Sequence, residues 1–285
     1  MGPGFRYHVA TIVAVFMALG IGMIIGSSFL QEALVERLRL QLSQLNERFT
    51  NEIQPLRKES EDKGKAIAAL SSRITQKALD KSRVAIVVTG DYADLVPDMS
   101  DALRAAGGTV QSITKIAPSL SVRLETSQAE IAGVIRRWRS GASEGNEALF
   151  QTLATAIARG GSAGVLRSLV SLKLIETQGD YRRAVNAVVL VGGGRDTADR
   201  RWETVDYPLI DQLSELGVVL VGAEPSVAVQ SYMPAYQAKG LSTVDNVDTA
   251  VGRTALVFLV SGESGSYGTK ETARDGLIPP GATEP

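Results

Sequence analysis

The residues of this sequence that could perform chemistry stand in three short turns, each directly after an apolar run. The turns are Thr89-Gly90-Asp91, residues 192–196 and Gly222-Ala223-Glu224. In an open α/β sheet the carboxyl ends of the strands form the usual crevice for a ligand. Gly192, Gly193 and Gly194 could let backbone amides approach an anion there, or they could form a flexible turn. Their spacing matches neither the dinucleotide-binding G-x-G-x-x-G motif nor a P-loop, because no Gly-Lys-Ser/Thr follows.

Metal ligands and catalytic residues are scarce in the sequence. It contains no cysteine and one histidine, His8, at the edge of an apolar stretch. It therefore lacks the soft thiolate and methionine clusters that suit Cu(I), and no Ser-His-Asp triad can form in the domain. The acidic turn of Asp245, Asn246 and Asp248 could hold a hard cation or cap the helix that follows it. We predict a protein that is not an enzyme, with no metal site and no cofactor.

Composition and charge restrict the class of partner. The 285 residues include 30 basic and 31 acidic side chains, and the formal net charge is −1. This balance gives no indication of a nucleic-acid partner. The absence of cysteine excludes disulfides and fits a domain that works outside the cytoplasm.

Residues 9–30 form an apolar stretch without charge. This stretch determines on which side of a membrane the rest of the chain lies. At about 1.5 Å per residue, a helix of this length reaches about 33 Å, enough to cross a hydrocarbon core of about 30 Å. We predict a transmembrane helix at 9–30 after a tail at 1–8. Arg6 and the amino terminus favour a cytoplasmic N-terminus, so the remainder would be exported. A cleaved signal peptide is the alternative.

Small residues recur at every fourth position of this stretch and end in a G-x-x-x-G pattern. Small side chains allow two membrane helices to approach closely, although glycine and alanine are also common in membrane spans generally. The pattern indicates a helix that associates with a second copy of itself. The positions are Ala10, Ala14, Ala18, Gly22 and Gly26.

Residues 31–83 are polar, favour helix and carry apolar residues at alternating spacings of three and four. This spacing is the seam of a coiled coil and predicts a stalk that forms a homodimer or a higher oligomer. Glu52 interrupts the seam, Pro55 should kink or end the helix, and Gly64 is a second weak point. A lone amphipathic helix is the alternative. The seam residues are Val35, Leu38, Leu42, Leu45 and Phe49.

From residue 84 the pattern changes to apolar, β-branched runs that alternate with amphipathic segments. This alternation predicts a three-layer, mostly parallel, Rossmann-like α/β domain at 84–261. The predicted strands are 84–88, 109–116, 187–191, 218–221 and 241–244, and the predicted helices are 92–106, 127–139, 147–158, 203–216 and 249–260. Residues 162–175 fit a helix or strands. The segment 262–285 is rich in Gly, Ser, Thr and Pro, and we expect it to be disordered.

Two passages are similar to a known family. FRYHVATIVAVFMALGIGMIIGSSF, residues 5–29, resembles the opening of the actinobacterial copper transport proteins of the MctB type, and KGLSTVDNVDTAVGRTALVF, residues 239–258, resembles their C-terminal segment. The order of span, coiled coil and α/β domain is also similar, so the resemblance covers essentially residues 5–260. It implies a role in copper homeostasis, described for the family as efflux through the envelope with pore formation at the outer membrane.

The residues themselves leave two other functions open. A self-associating helix, a stalk and the lack of a catalytic set are typical of an envelope scaffold that docks a partner protein in cell-wall assembly or division. The turns that follow the strands also allow a domain that binds a small anionic ligand.

Overall fold

The computed structural model describes residues 3–126, 133, 145–161 and 163–282. The chain divides into two compact units, Met1–Lys63 and Gly64–Pro285, so the division falls at the glycine that the sequence marks as a weak point. The predicted helix at 127–139 lies outside the described residues except for Gly133.

The first unit is helical. Helix α1 spans Pro3–Arg48 and a π-helical turn follows at Phe49–Ile53. Helix α2, Gln54–Ile74, begins in this unit and ends in the second. Among the described residues, one segment of 18 residues, Tyr7–Ile24, is long and apolar enough to cross a membrane. This finding fits the predicted single span.

Pro55 does not end the helix, although an end there is one of the two outcomes that the sequence predicts for it. Proline lacks the amide hydrogen that an α-helix needs one turn back, yet Pro55 is the second residue of α2. The wider π-helical turn comes directly before it and is closed by a bond from the Gln54 amide to the Phe49 carbonyl. The chain therefore changes its type of helix ahead of the proline and continues.

The second unit contains one sheet, in which the described residues contribute seven strands in the order β3-β2-β1-β4-β5-β6-β7. Every neighbouring pair is parallel except β2 with β3. The strands are β1 Arg83–Val88, β2 Thr109–Ile116, β3 Ile175–Gly179, β4 Ala187–Val191, β5 Val219–Ala223, β6 Ser242–Val244 and β7 Ser266–Tyr267. The mostly parallel α/β class is confirmed.

Helices cover both faces of the sheet. They are α3 Val96–Ala105, α4 Ser119–Thr126, α5 Asn146–Ala158, α6 Ala163–Ser171, α7 Tyr207–Glu215, α8 Met233–Ala238 and α9 Ala250–Ser261. Val87 and Leu190 pack with α4 to α8 on one face, and Ile86 and Val189 pack with α3 and α9 on the other. Because successive strand residues point to opposite faces, both faces of the central strands require apolar side chains, and β4 and residues 84–88 of β1 are continuous apolar runs.

Two edge strands differ from the sequence expectation. In the segment 162–175, which the sequence leaves open between helix and strands, residues 163–171 form helix α6 and residue 175 begins β3. Strand β3 is mostly exposed, antiparallel to β2 and without an apolar run. Strand β7 lies inside 262–285, where we expected disorder. Ser266 and Tyr267 pair with β6, and Tyr267 is buried, so pairing with the sheet orders a segment whose composition is typical of disorder.

Candidate functional site

The three polar turns meet at the carboxyl edge of the sheet, because β1, β4 and β5 are adjacent parallel strands. The strand order reverses between β1 and β4, which is where open α/β sheets usually bind ligands. In this protein the crevice is closed by backbone contact. The Gly90 amide donates to the Val191 carbonyl at 3.0 Å and the Asp91 amide donates to the Gly193 carbonyl at 2.9 Å. A Cβ atom on Gly90 would stand 2.3 Å from the Gly193 oxygen.

The glycine run 192–194 is buried at this contact. A Cβ atom on Gly192 would lie 2.6 Å from Tyr236 Oη, and one on Gly194 would lie 2.6 Å from Asp199 Oδ2. The amides of both glycines donate to backbone carbonyls at 2.9 Å. These two amides are thus occupied within the protein, and the close packing of neighbouring side chains requires residues without Cβ atoms here.

Arg201 holds the charges beside the contact together. Its side chain is 14% exposed and donates to both carboxylate oxygens of Asp199, to Asp91 Oδ1 at 2.6 Å and to the Thr89 carbonyl at 3.2 Å. Burial would by itself raise the pKa of Asp199, but hydrogen bonds from Arg201 and Tyr232 outweigh it and lower that pKa. Two carboxylates already neutralise this guanidinium, which leaves it poorly suited to bind an anion from solution.

A fully buried acid, Asp206, belongs to the same edge. Tyr236 Oη donates to Asp206 Oδ1 at 2.9 Å and lies 3.3 Å from Thr89 Oγ1. The other oxygen, Asp206 Oδ2, has no hydrogen-bond partner. Burial raises the pKa of Asp206 to about 6, a value typical of catalytic acids. Because the residue is 0% exposed, a substrate cannot reach the carboxyl in this arrangement.

Glu224, at the end of β5, binds the C-terminal segment. Lys270 Nζ donates to Glu224 Oε1 at 2.7 Å. Ser231 Oγ and the Tyr232 amide donate to the same carboxylate at 2.6 Å and 2.9 Å. Burial raises the pKa of Glu224, and the bond with Lys270 opposes that rise. This acid therefore anchors the segment that contains β7.

The acidic turn after β6 also binds other parts of the chain. Asp245 accepts a bond from the Thr269 amide at 2.7 Å, and Asp248 accepts bonds from the amide and the hydroxyl of Ser226 at 2.7 Å and 2.6 Å. The cap of α9 is Thr249, whose Oγ1 accepts an amide of the first turn at 3.0 Å. The interpretation that the acidic turn caps this helix is therefore wrong.

The other candidate residues lie in the first unit. His8 and four of the five small residues of α1 are exposed, and the surroundings of the fifth, Gly26, lie outside the description. In the part of the chain that the structure describes, no group of three or more His, Cys, Asp or Glu side chains could hold a metal ion. The predicted seam residues are between 46% and 65% exposed: Val35, Leu38, Leu42, Leu45 and Phe49.

Sequence reasoning found Asp91 and Glu224 but missed the residues that bind them. A buried carboxylate requires a charged or hydrogen-bonding partner, so an acid directly after a buried strand predicts that a partner exists. Nothing in the spacing identifies Arg201 or Lys270, because Lys270 lies 46 residues after Glu224.

The fold and the site define a protein with one apolar N-terminal helix among the described residues, which fits a single membrane anchor, and a mostly parallel α/β domain whose polar edge is closed by its own backbone and side-chain bonds. A family model described as "Copper transport outer membrane protein, MctB" matches residues 4–278, and the chain belongs to this family. Copper transporter MctB of Mycobacterium tuberculosis (strain H37Rv) and that of Mycobacterium bovis are each 25% identical to it over 308 aligned positions, which cover 93% of this chain and 95% of each relative.

Proposed function

We propose that this chain is a membrane-anchored protein of the cell envelope that takes part in copper efflux and so in copper homeostasis. The match of the family model over residues 4–278 carries this proposal. Relatives named copper transporters align with 93% of the chain, which supports it further.

The proposed topology places residues 1–8 in the cytoplasm, 9–30 in the membrane and the α/β domain outside the cytoplasm. Helix α1 continues through the apolar stretch, which supports an anchor. A reporter that is active only in the cytoplasm, fused after the last residue, should be inactive. An active reporter would place the C-terminal end in the cytoplasm and contradict the proposed topology.

In this proposal copper is cargo, and the chain does not hold a dense copper site. The sequence has no cysteine, and the described residues contain no group of three or more His, Cys, Asp or Glu side chains that could hold a metal ion. Soft ligands are those that Cu(I) prefers. We infer that the chain supports copper resistance as part of an assembly in the envelope.

Deletion of the gene in its own host tests this function. Growth should be inhibited at lower copper concentrations, and cell-associated copper should rise. The intact chain should restore tolerance, whereas a chain without residues 9–30 should not. Zinc tolerance is the control and should not change. Unchanged copper tolerance in the deletion strain would reject the proposal.

A second candidate is a non-enzymatic scaffold that dimerises through its stalk and docks a partner in cell-wall assembly or division. The exposed apolar seam of α1 favours it, because such a surface is suited to protein contact. A deletion strain with altered cell shape and normal copper tolerance would support this candidate. A full-length protein that stays monomeric in detergent and retains no partner would count against it.

A further inference from the structure

The apolar seam of the first unit extends one residue further than the sequence pattern indicates. Its members recur at spacings of three and four residues, and all of them are exposed. The last member, Ile53, is 51% exposed. In an uninterrupted α-helix the position after Phe49 would belong to Glu52, and two copies in register would place two carboxylates against each other in their seam.

The π-helical turn changes which residue follows Phe49. A π-helical turn is closed by a bond between residues five apart, where an α-helical turn joins residues four apart. The bond from the Gln54 amide to the Phe49 carbonyl is of this type. The turn thus contains one extra residue, so Ile53 takes the direction that Glu52 would have in an α-helix.

The surface beside the π-helical turn agrees with this shift. Phe49 and Ile53 line one shallow concave patch of the helix together with Arg57, and neither Glu52 nor Leu56 lines it. The next seam positions after Ile53 fall on Arg57 and Ser60. Both are polar, so the apolar seam ends at the turn.

We propose that two copies of this chain associate in parallel through a coiled coil that runs from Val35 to Ile53, and that the π-helical turn defines its end. The turn brings Ile53 into the interface and removes Glu52 from it. This proposal goes beyond the copper function and does not depend on it.

Area and orientation support a second copy as the occupant of the seam. Its six apolar side chains, each at least 46% exposed, would bury roughly 60–120 Å² apiece, or about 700–1,400 Å² across two copies. Specific interfaces bury about 1,200–2,000 Å², so the seam approaches the required size. Anchoring by α1 in one membrane keeps two copies parallel and raises their effective concentration.

Cysteine cross-linking of the full-length protein in membranes tests both parts of this proposal, because the natural chain has no cysteine. The variants are Leu45→Cys, Ile53→Cys, Glu52→Cys and Gln44→Cys, each oxidised without copper, for example with diamide. Facing Cα atoms in a parallel coiled coil are close enough for a disulfide. Gln44 is the control on the outer face of the helix.

We expect Leu45→Cys and Ile53→Cys to form covalent dimers with at least fivefold higher yield than Glu52→Cys and Gln44→Cys. A dimer at Glu52 but not at Ile53 would refute the shift and leave an uninterrupted α-helical register. No dimer at any of the four positions would refute the parallel pair. Copper tolerance is not measured, so neither failure affects the proposed role in copper efflux, whereas the absence of any dimer would also count against the scaffold candidate.

Discussion

The carboxyl edge of the sheet and the surface of helix α1 differ in whether their interacting side chains are already paired within the chain. At the edge, the acids that the sequence marks as candidates are bound to cations of the same chain: Asp91 to Arg201 and Glu224 to Lys270. Along α1 and the π-helical turn, the apolar seam is exposed. The position where this fold usually binds ligands is thus filled by bonds within the chain, and the helix that precedes the domain leaves its apolar residues exposed.

Removal of Arg201 should produce the largest effect on the edge. Arg201→Met leaves two carboxylates without their cation, and Asp199 is only 9% exposed. Breaking a buried ion pair by removing one partner costs about 3–5 kcal/mol. We expect a loss of this size in the free energy of unfolding, measured by urea titration of the full chain in detergent.

Arg200→Met is the matched control, because that side chain is 72% exposed. It should change stability by no more than about 1 kcal/mol. Equal losses in the two variants would show that the edge does not depend on the Arg201 pairs.

The pair of Glu224 and Lys270 should give the next largest effect. Lys270→Met leaves Glu224 buried without its cation and should cost about 3 kcal/mol. Glu224→Gln added to Lys270→Met should recover much of that loss, since the glutamine oxygen can still accept the Tyr232 amide while its NH2 group can donate to Ser231 Oγ. A double-mutant cycle by urea titration measures the coupling. Purely additive effects would contradict the assigned pair.

The buried carboxyl of Asp206 should make stability depend on pH. Its pKa is about 6 in the folded protein against an ordinary value of 3.8, so the folded state binds the proton more tightly. The protonated carboxyl therefore contributes to the free energy of unfolding in full below about pH 4, and this contribution is lost as the pH rises through 6. Asp206→Asn should therefore be more stable than the natural protein by about 1–3 kcal/mol at pH 8.

That advantage should disappear near pH 4 when both proteins are unfolded with urea across this range. Asp101→Asn, at a side chain that is 79% exposed, is the control and should show a small difference at every pH. An advantage of Asp206→Asn that stays constant from pH 4 to 8 would contradict the assigned titration.

Changes in the seam of α1 should leave the edge intact. Leu42→Ser combined with Leu45→Ser should abolish the dimer in detergent, measured by light scattering, because the central apolar pair of the seam is lost. The free energy of unfolding of the α/β domain, measured by urea titration, should change by less than about 0.5 kcal/mol. A large loss of domain stability would mean that the seam supports the fold.

The smallest effect should come from small anions. Because the backbone contact fills the crevice and the amides of Gly192 and Gly194 are occupied, nucleotides and sugar phosphates should not raise the melting temperature. A thermal-shift series up to millimolar concentration measures this. A reproducible rise with one of them would restore the ligand-binding interpretation of the glycine run.

Burial explains which parts of the fold the sequence predicts. Strands β2 and β4 agree with prediction at both ends. Strand β4 is apolar throughout, as a strand covered on both faces must be, whereas β2 contains polar residues and begins directly after the glycine pair 107–108 that ends the preceding helix. Strand β3 is exposed and β7 has two residues, so both depend on pairing with a neighbour and have no pattern of their own. For the candidate site, the glycine run is visible in the sequence. Its close contacts with Tyr236 and Asp199 arise only in the folded chain.

The bond between Glu224 and Lys270 also sets an order of events during synthesis. The ribosome releases Glu224 long before Lys270, which follows 46 residues later. Until then the carboxylate keeps its hydration and β6 is an open edge, where unpaired backbone groups can bind another chain. This edge of the sheet therefore cannot close until Lys270 has left the ribosome, and a chain stalled before residue 266 would leave β6 unpaired on that side.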